Sequence, residues 1–266
     1  MSRSRFLEIP AAQALNRREM LKGLAGSAIT VVVSQSVLGC ATTGTPTDTA
    51  VDTTSQGGSA STACVLTAAL TEGPFFVDEK LNRSDIRSDP VTGAASAGVP
   101  LSLTFNVSRV AGSACTPLTG AYLDVWHADA SGTYSDVSGM GNGSGGAGHK
   151  FLRGYQVTDA AGAVQFTSIY PSWYSGRAVH VHFKLRLYAG SSATYEFTSQ
   201  FFMVESITNT VHANSPYNTR GQRNTMNSTD GIYNSLTTAQ KSALTLQTTQ
   251  TTDGYSGIIN LDVNVG

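Results

Sequence analysis

At 266 residues the chain is long enough for one domain of about 200 residues with a substantial core, plus extensions. Charged residues make up only 13% of it, while Gly, Ser and Thr abound, which suits a loop-rich extracytoplasmic β protein better than a helical one. The first 39 residues hold five basic side chains (Arg3, Arg5, Arg17, Arg18, Lys22) and two acidic ones (Glu8, Glu19), so the remainder holds 12 basic and 16 acidic residues and a net charge of −4. That balance offers none of the basic face that nucleic acid demands, and no nucleic-acid partner is expected.

Residues 1–39 read as an export signal. Arg17–Arg18, followed by Met20, Leu21 and Lys22, resembles a twin-arginine signal, with a moderately apolar run and small residues behind it. The rival reading is a membrane anchor, but Ser27, Thr30, Ser34, Gln35 and Ser36 interrupt the run well short of the ~20 apolar residues a span needs. "VLGC" at 37–40 resembles a lipoprotein box, with Leu38 where a smaller residue is usual; Cys40 is then either lipidated, anchoring the chain to a membrane, or discarded with the signal. The expected location is periplasmic or at the cell surface. Residues 40–62, almost free of large apolar groups, form a flexible Ser/Thr/Gly linker, and 63–266 the folded domain. In an oxidising compartment Cys64 and Cys115 are most simply a disulfide, worth roughly 3–4 kcal/mol for a loop of about 50 residues. Two buried free thiols are the other reading.

From Cys64 onward the pattern is β. "PLSLTFNVSRV" sets Leu101, Leu103, Phe105 and Val107 on one face against Ser102, Thr104, Asn106 and Ser108 on the other. "AYLDVWHA" (121–128), "AVHVHFKLRLY" (178–188), "TSQFFMVE" and "GIINLDVNV" read as further strands. "RGYQVTDAAGAVQFTSI" reads as two strands about a turn at Asp159 and Gly162. The one helical-looking piece is 236–246, capped by Thr237 or Thr238. These features predict an all-β protein, an antiparallel β-sandwich with long loops and little helix. The glycine-rich segment 139–150 reads as a mobile loop.

Two of the five histidines stand two apart on a strand, so His180 and His182 point to one face, followed along it by Lys184 and Arg186. Two imidazoles on one face can reach one metal ion, of zinc or copper as well as iron; two solvated or hydrogen-bonded histidines are the plain alternative. No Asp or Glu occurs between 160 and 195, whereas Tyr174 lies six residues before His180 and Tyr134 follows the strand at 121–128. Tyrosinate is a hard anionic donor that only a strongly Lewis-acidic cation produces at neutral pH, which favours ferric iron if the tyrosines are ligands.

"TEGPFF" (71–76), "DVWHADASGTYSD" (124–136), "FLRGYQVTDAAGAVQFTSIYPSWYSGRAVHVHFKL" (151–185) and "TSQFF" (198–202) are similar, in order, to segments of the intradiol ring-cleavage dioxygenases, the catechol and protocatechuate dioxygenase superfamily. "NSTDGIY" (227–233) is similar to a segment of its secreted members. The resemblance implies one non-haem Fe(III) per chain held by Tyr134, Tyr174, His180 and His182, with Tyr174 and His182 axial. It implies cleavage of a catechol with O2 between the two hydroxylated carbons to a cis,cis-muconate. Arg177 matches the arginine that stabilises charge on the bound catecholate, and Gln200 a glutamine near the substrate ring. His127 and His149 have no such match. A charged, benzoate-type substrate would need a cation, for which Lys184, Arg186, Arg153 and Arg220 are candidates. A signal and tether stand where better-known members carry a helical dimerisation region or a second subunit, so oligomeric state is left open. Two rival functions are a metal-free aromatic- or partner-binding module and a zinc or copper enzyme built on the histidine pair.

Overall fold

The structure, a computed structural model, describes residues 64–139, 141–142 and 145–266. The expected signal peptide, Cys40 and the linker lie outside the described residues. Alternation of apolar and polar residues builds β1 (Pro100–Ala111), which buries Leu101, Leu103, Phe105 and Val107. Along one edge of β1 run β2 (Ala114–Pro117) and β5 (Ala163–Ile169), both antiparallel to it. On its other edge lies β10 (Tyr255–Val263), followed by β9 (Thr248–Gln250). The second sheet has the order β4 (Arg153–Val157), β3 (Tyr122–Trp126), β6 (His180–Ala189), β7 (Ser192–Met203) and β8 (Thr245–Leu246).

The inner faces of the two sheets meet at Phe105. Its ring stands 6.0 Å from Phe166, 6.0 Å from Phe183 and 5.9 Å from Phe201, so one aromatic group ties both layers together. Val181, Phe183 and Leu185 of β6 join this core, while His180, His182, Lys184 and Arg186 point to the opposite face. That face is itself covered by the segment around residues 70–80, which leaves both sides of β6 buried.

Several details differ from the sequence reading. The sheets are not wholly antiparallel: β10 runs parallel to β1, and β8 parallel to β7. The turn at Asp159–Gly162 does not close a hairpin, because β4 and β5 pair in different sheets and the turn carries the chain from one layer to the other. Helix α3 (Thr238–Leu244) forms where expected, with Thr237 and Gln240 making a reciprocal cap, but the end of that segment turns into β8. It is not the only helix. α1 (Glu205–His212) and α2 (Gly231–Asn234) also form, from sequences too rich in Thr, Asn and Gly to read as helical. Burial of Thr208 and Val211 holds the first, and the cap of Asp230 holds the second.

Cys64 is bonded to Cys115 across 51 residues, joining the start of the described chain to β2. The double variant Cys64→Ser/Cys115→Ser is expected to lose about 4 kcal/mol of unfolding free energy, the loop-entropy value for a closure of this length. Urea titration of both proteins measures it, and a loss below about 1 kcal/mol would show that the bridge does not constrain the unfolded chain.

Candidate active site

The register of the second sheet sets three side chains in a row on its covered face. Trp126 of β3 stands opposite His182 of β6, and His182 opposite Gln200 of β7. The Trp126 and His182 rings lie parallel, 4.9 Å apart and inclined by 6°, so the indole fixes the plane of the imidazole. One step along β6, His180 donates from Nδ1 to the carbonyl of Ala178 at 2.6 Å, leaving its Nε2 with a free lone pair. That Nε2 lies 3.0 Å from His182 Nε2 and 3.4 Å from Tyr134 Oη. All three groups are buried.

Tyr134 is brought in by the loop after β3. Asp129 folds this loop by accepting from the N–H groups of Ser131 and Thr133 at 2.8 and 2.9 Å. The backbone of Tyr134 is then clamped by Asn142, whose Oδ1 accepts from Tyr134 N–H at 2.6 Å and whose Nδ2 donates to the carbonyls of Tyr134 and Val137. Gly146 packs so closely on the Tyr134 carbonyl that a Cβ there would overlap it. The segment 139–150, expected as a mobile loop, thus contributes through Asn142 and Gly146 to holding Tyr134. Tyr174, half-buried, brings its ring to 5.7 Å from Tyr134 and 5.6 Å from His180. Phe75 stacks on Tyr134 at 4.5 Å and meets Tyr174 edge-on at 5.2 Å. Gly73, at φ +72°, lets the covering segment lie on the His182 ring, where an added Cβ would stand 3.3 Å from Cε1.

Arg177 lies beside this cluster. Its Nη2 donates to Gln200 Oε1, its Nε donates to Asp230 Oδ2 at 2.8 Å, and Gln200 Nε2 donates to the carbonyl of Thr71 at 3.2 Å. No acidic residue near Arg177 in sequence suggested a partner; the partner is Asp230, 53 residues on. The structure therefore gathers Tyr134, Tyr174, Arg177, His180, His182 and Gln200. Of the four cations considered for a charged substrate, Lys184 pairs with Glu72 and Arg186 with Asp78 and Asp124. Arg153 is spent on Ser135 and the carbonyl of Phe75, and Arg220 lies over the Trp173 ring at 4.7 Å. Sequence reading missed Trp126, set against His182 by strand register, Asp230, which reaches Arg177 from 53 residues on, and Asn142, which lies in a glycine-rich loop.

Burial, with help from the positive charge of Arg177, pushes both His180 and His182 well below the ordinary imidazole value, so both are neutral at pH 7. Burial pushes the Tyr134 phenol well above 10 and raises Tyr174 too, where Arg177 works against it. Among the described residues no group of three or more His, Cys, Asp or Glu side chains is set to hold a metal. The two imidazole nitrogens and the Tyr134 hydroxyl nevertheless converge as the ligands of one ion would, with the Tyr174 ring beside them. Nitrogen ligands about 2.0–2.1 Å from an ion, at a right angle, stand about 3 Å apart, as these two do. The phenols would ionise only beside a strongly Lewis-acidic cation.

His127, next to Trp126, is outside the cluster. Its Nδ1 donates to the carbonyl of Ala128 at 2.8 Å and its Nε2 accepts from Ser168 at 2.7 Å, while burial holds its pKa down to about 4. His149 pairs with Asp89. Because the folded value of His127 lies below the unfolded one, its stability contribution is complete above about pH 6.5 and is lost as pH falls toward 4. About 3 kcal/mol is expected to disappear over that window from this residue alone. Denaturant titrations of the wild type and His127→Gln at pH 7 and pH 4.5 should diverge by most of that amount. Equal pH dependence in the two would remove His127 as the source.

Residues 71–203, half of the chain, match the sequence model of the family described as Dioxygenase. An intradiol ring-cleavage dioxygenase from Tetranychus urticae is 29% identical to this chain, covering 76% of it and 96% of its own length with a TM-score of 0.63. A second crystallised dioxygenase is 30% identical over 76% of this chain and 96% of its own, with a TM-score of 0.62. No curated protein matches the chain by sequence. The sandwich with its buried His and Tyr cluster is thus the catalytic domain of an oxygen-inserting enzyme. The chain belongs to the intradiol ring-cleavage dioxygenase family.

Proposed function

We propose that the chain is a non-haem Fe(III)-dependent intradiol dioxygenase that cleaves catechols with O2 to cis,cis-muconates, with Tyr134, Tyr174, His180 and His182 as the iron ligands. The observation that carries this reading is the convergence of His182 Nε2 and Tyr134 Oη on His180 Nε2, at 3.0 and 3.4 Å, in a buried cluster flanked by Tyr174. Membership of a family whose enzymes are generally non-haem iron dependent supports it. Bound ferric iron would supply a single centre for both catechol oxygens and activate the ring toward O2.

The chain's own residues do the rest. The Ala178 carbonyl holds His180 with its Nε2 lone pair turned into the cluster, and the Trp126 ring fixes the plane of His182, so both rings are set before any ligand arrives. Phe75, stacked on Tyr134 and edge-on to Tyr174, shields that side of the cluster from water. Tyr174 is the less buried phenol, and the Arg177 charge works against the rise that burial causes; held as a phenolate by the bound cation, its Oη would be free of its own proton and suited to take one up from a catechol hydroxyl. Arg177 then faces the negative charge left on the substrate oxygens, with Gln200 at its side.

A Tyr174→Phe variant is expected to bind catechol about 100-fold more slowly while keeping most of its iron, because a base is lost and three ligands stay. Anaerobic stopped-flow mixing and metal analysis read the two effects separately; near-normal binding kinetics would remove Tyr174 as the base. The functional reading as a whole is tested by the visible spectrum of the purified domain before and after anaerobic catechol, followed by oxygen uptake. A broad band that moves to longer wavelength, with uptake, is the expected result. A protein that stays colourless after ferric reconstitution would overturn it.

A further inference from the structure

Asp230 is fully buried, and each of its carboxylate oxygens accepts two hydrogen bonds. Oδ1 takes the N–H groups of Ile232 and Tyr233, at 2.8 and 2.9 Å, and so caps α2. Oδ2 takes Arg177 Nε and the N–H of Ala178, both at 2.8 Å. Burial alone would raise this carboxyl, but the N–H donors of Tyr233 and Ala178 and the Arg177 guanidinium outweigh it, so Asp230 is a charged group. A planar guanidinium gripped at Nε cannot rotate about its stem without breaking that bond, and its Nη2 is directed to Gln200. The Ala178 contact lies at the residue whose carbonyl orients His180.

We propose that Asp230 is a positioning residue for the ring-cleavage reaction: through Oδ2 it fixes the guanidinium of Arg177 toward the substrate oxygens, a role separate from capping α2 through Oδ1. The inference rests on the proposed function. The two oxygens separate the two roles. An asparagine keeps a carbonyl for the cap, as good there as a carboxylate, but turns an NH2 group toward Arg177 Nε and the Ala178 N–H, where only an acceptor fits.

The experiment compares iron-loaded wild type, Asp230→Asn, Arg177→Gln and the double variant in steady-state catechol oxidation, with iron content measured for each. Asp230→Asn is expected to lose about 10–100-fold in kcat, with KM changed less and iron content kept, the size found when a positioning contact is removed. In the Arg177→Gln background the same change should cost less than about twofold, because the group it positions is gone. A residue that only caps α2 would leave kcat within twofold of wild type for Asp230→Asn alone, and that outcome overturns the inference, as does an equal loss in both backgrounds, which would mean that Asp230 acts through the Ala178 N–H rather than through Arg177. Where the asparagine variant does not accumulate, Asp230→Ser, which keeps a cap oxygen and leaves room for water beside Arg177, is read by the same criteria. Loss in Arg177→Gln with none in either Asp230 variant overturns this inference alone. A wild type that cleaves no catechol removes the functional reading and the inference with it.

Discussion

His182→Ala is expected to purify with less than about a tenth of the wild-type iron and to lose at least about 1,000-fold in kcat/KM for catechol. His182 is the residue on which most of the site depends. Its Nε2 meets that of His180 at 3.0 Å, its ring carries the parallel face of Trp126, and its cross-strand neighbour is Gln200. Truncation removes one of two neutral nitrogen donors and leaves His180 Nε2 beside only a phenol that burial keeps protonated. It also opens a cavity under the indole, so some stability is lost along with the metal. Two measurements separate these effects. Circular dichroism at 25 °C should show the fold retained, and added imidazole, which can occupy the cavity, should restore part of the iron content. A variant with full iron and normal turnover would show that His182 is not a ligand.

Arg177→Gln is expected to keep its iron within about twofold while kcat falls about 100- to 1,000-fold, the usual scale for losing one preorganised electrostatic group. The same change removes one partner of a buried ion pair and leaves the Asp230 carboxylate with N–H donors only. Breaking such a pair typically costs about 3–5 kcal/mol, and in a domain of this size each kcal/mol lowers Tm by about 2–4 °C. A Tm drop of roughly 10 °C with iron retained is therefore the expected signature. A variant that lost its iron in proportion to its activity would mean that Arg177 maintains the site rather than acting on the substrate.

Much of this site was legible in the sequence because its chemistry rests on local spacing. His180 and His182 share a face by the two-residue period of a strand, and Leu101, Leu103, Phe105 and Val107 declare the inner face of β1 in the same way. Arg177 and Tyr174 lie within six residues of the pair. What stayed hidden depends on which strands become neighbours. Trp126 is an ordinary apolar strand residue until register sets it against His182, and Asp230 looks like a helix cap until its second oxygen reaches back to Arg177. Asn142 sits in a glycine-rich stretch whose composition speaks for mobility, yet its side-chain amide satisfies one donor and two acceptors around Tyr134. The parallel pairings escaped for the same reason, since no local pattern says which strand will pair with β1 or in which direction.

The parallel seam between β1 and β10 has a bearing on how the protein is made. Residues 101–109 pair with 255–263, and ahead of them Thr67 and Val65 are hydrogen-bonded to Asp262. β10 is thus an interior member of its sheet, between β1 and β9, and the β1 residues it pairs with lie far ahead of it in the chain. Until β10 has left the ribosome, β1 presents a hydrogen-bonding edge, backed by an apolar face, that this distant strand later covers. Completion of that layer is expected to wait for β10, and a chain cut ahead of residue 255 to leave this edge of β1 uncovered.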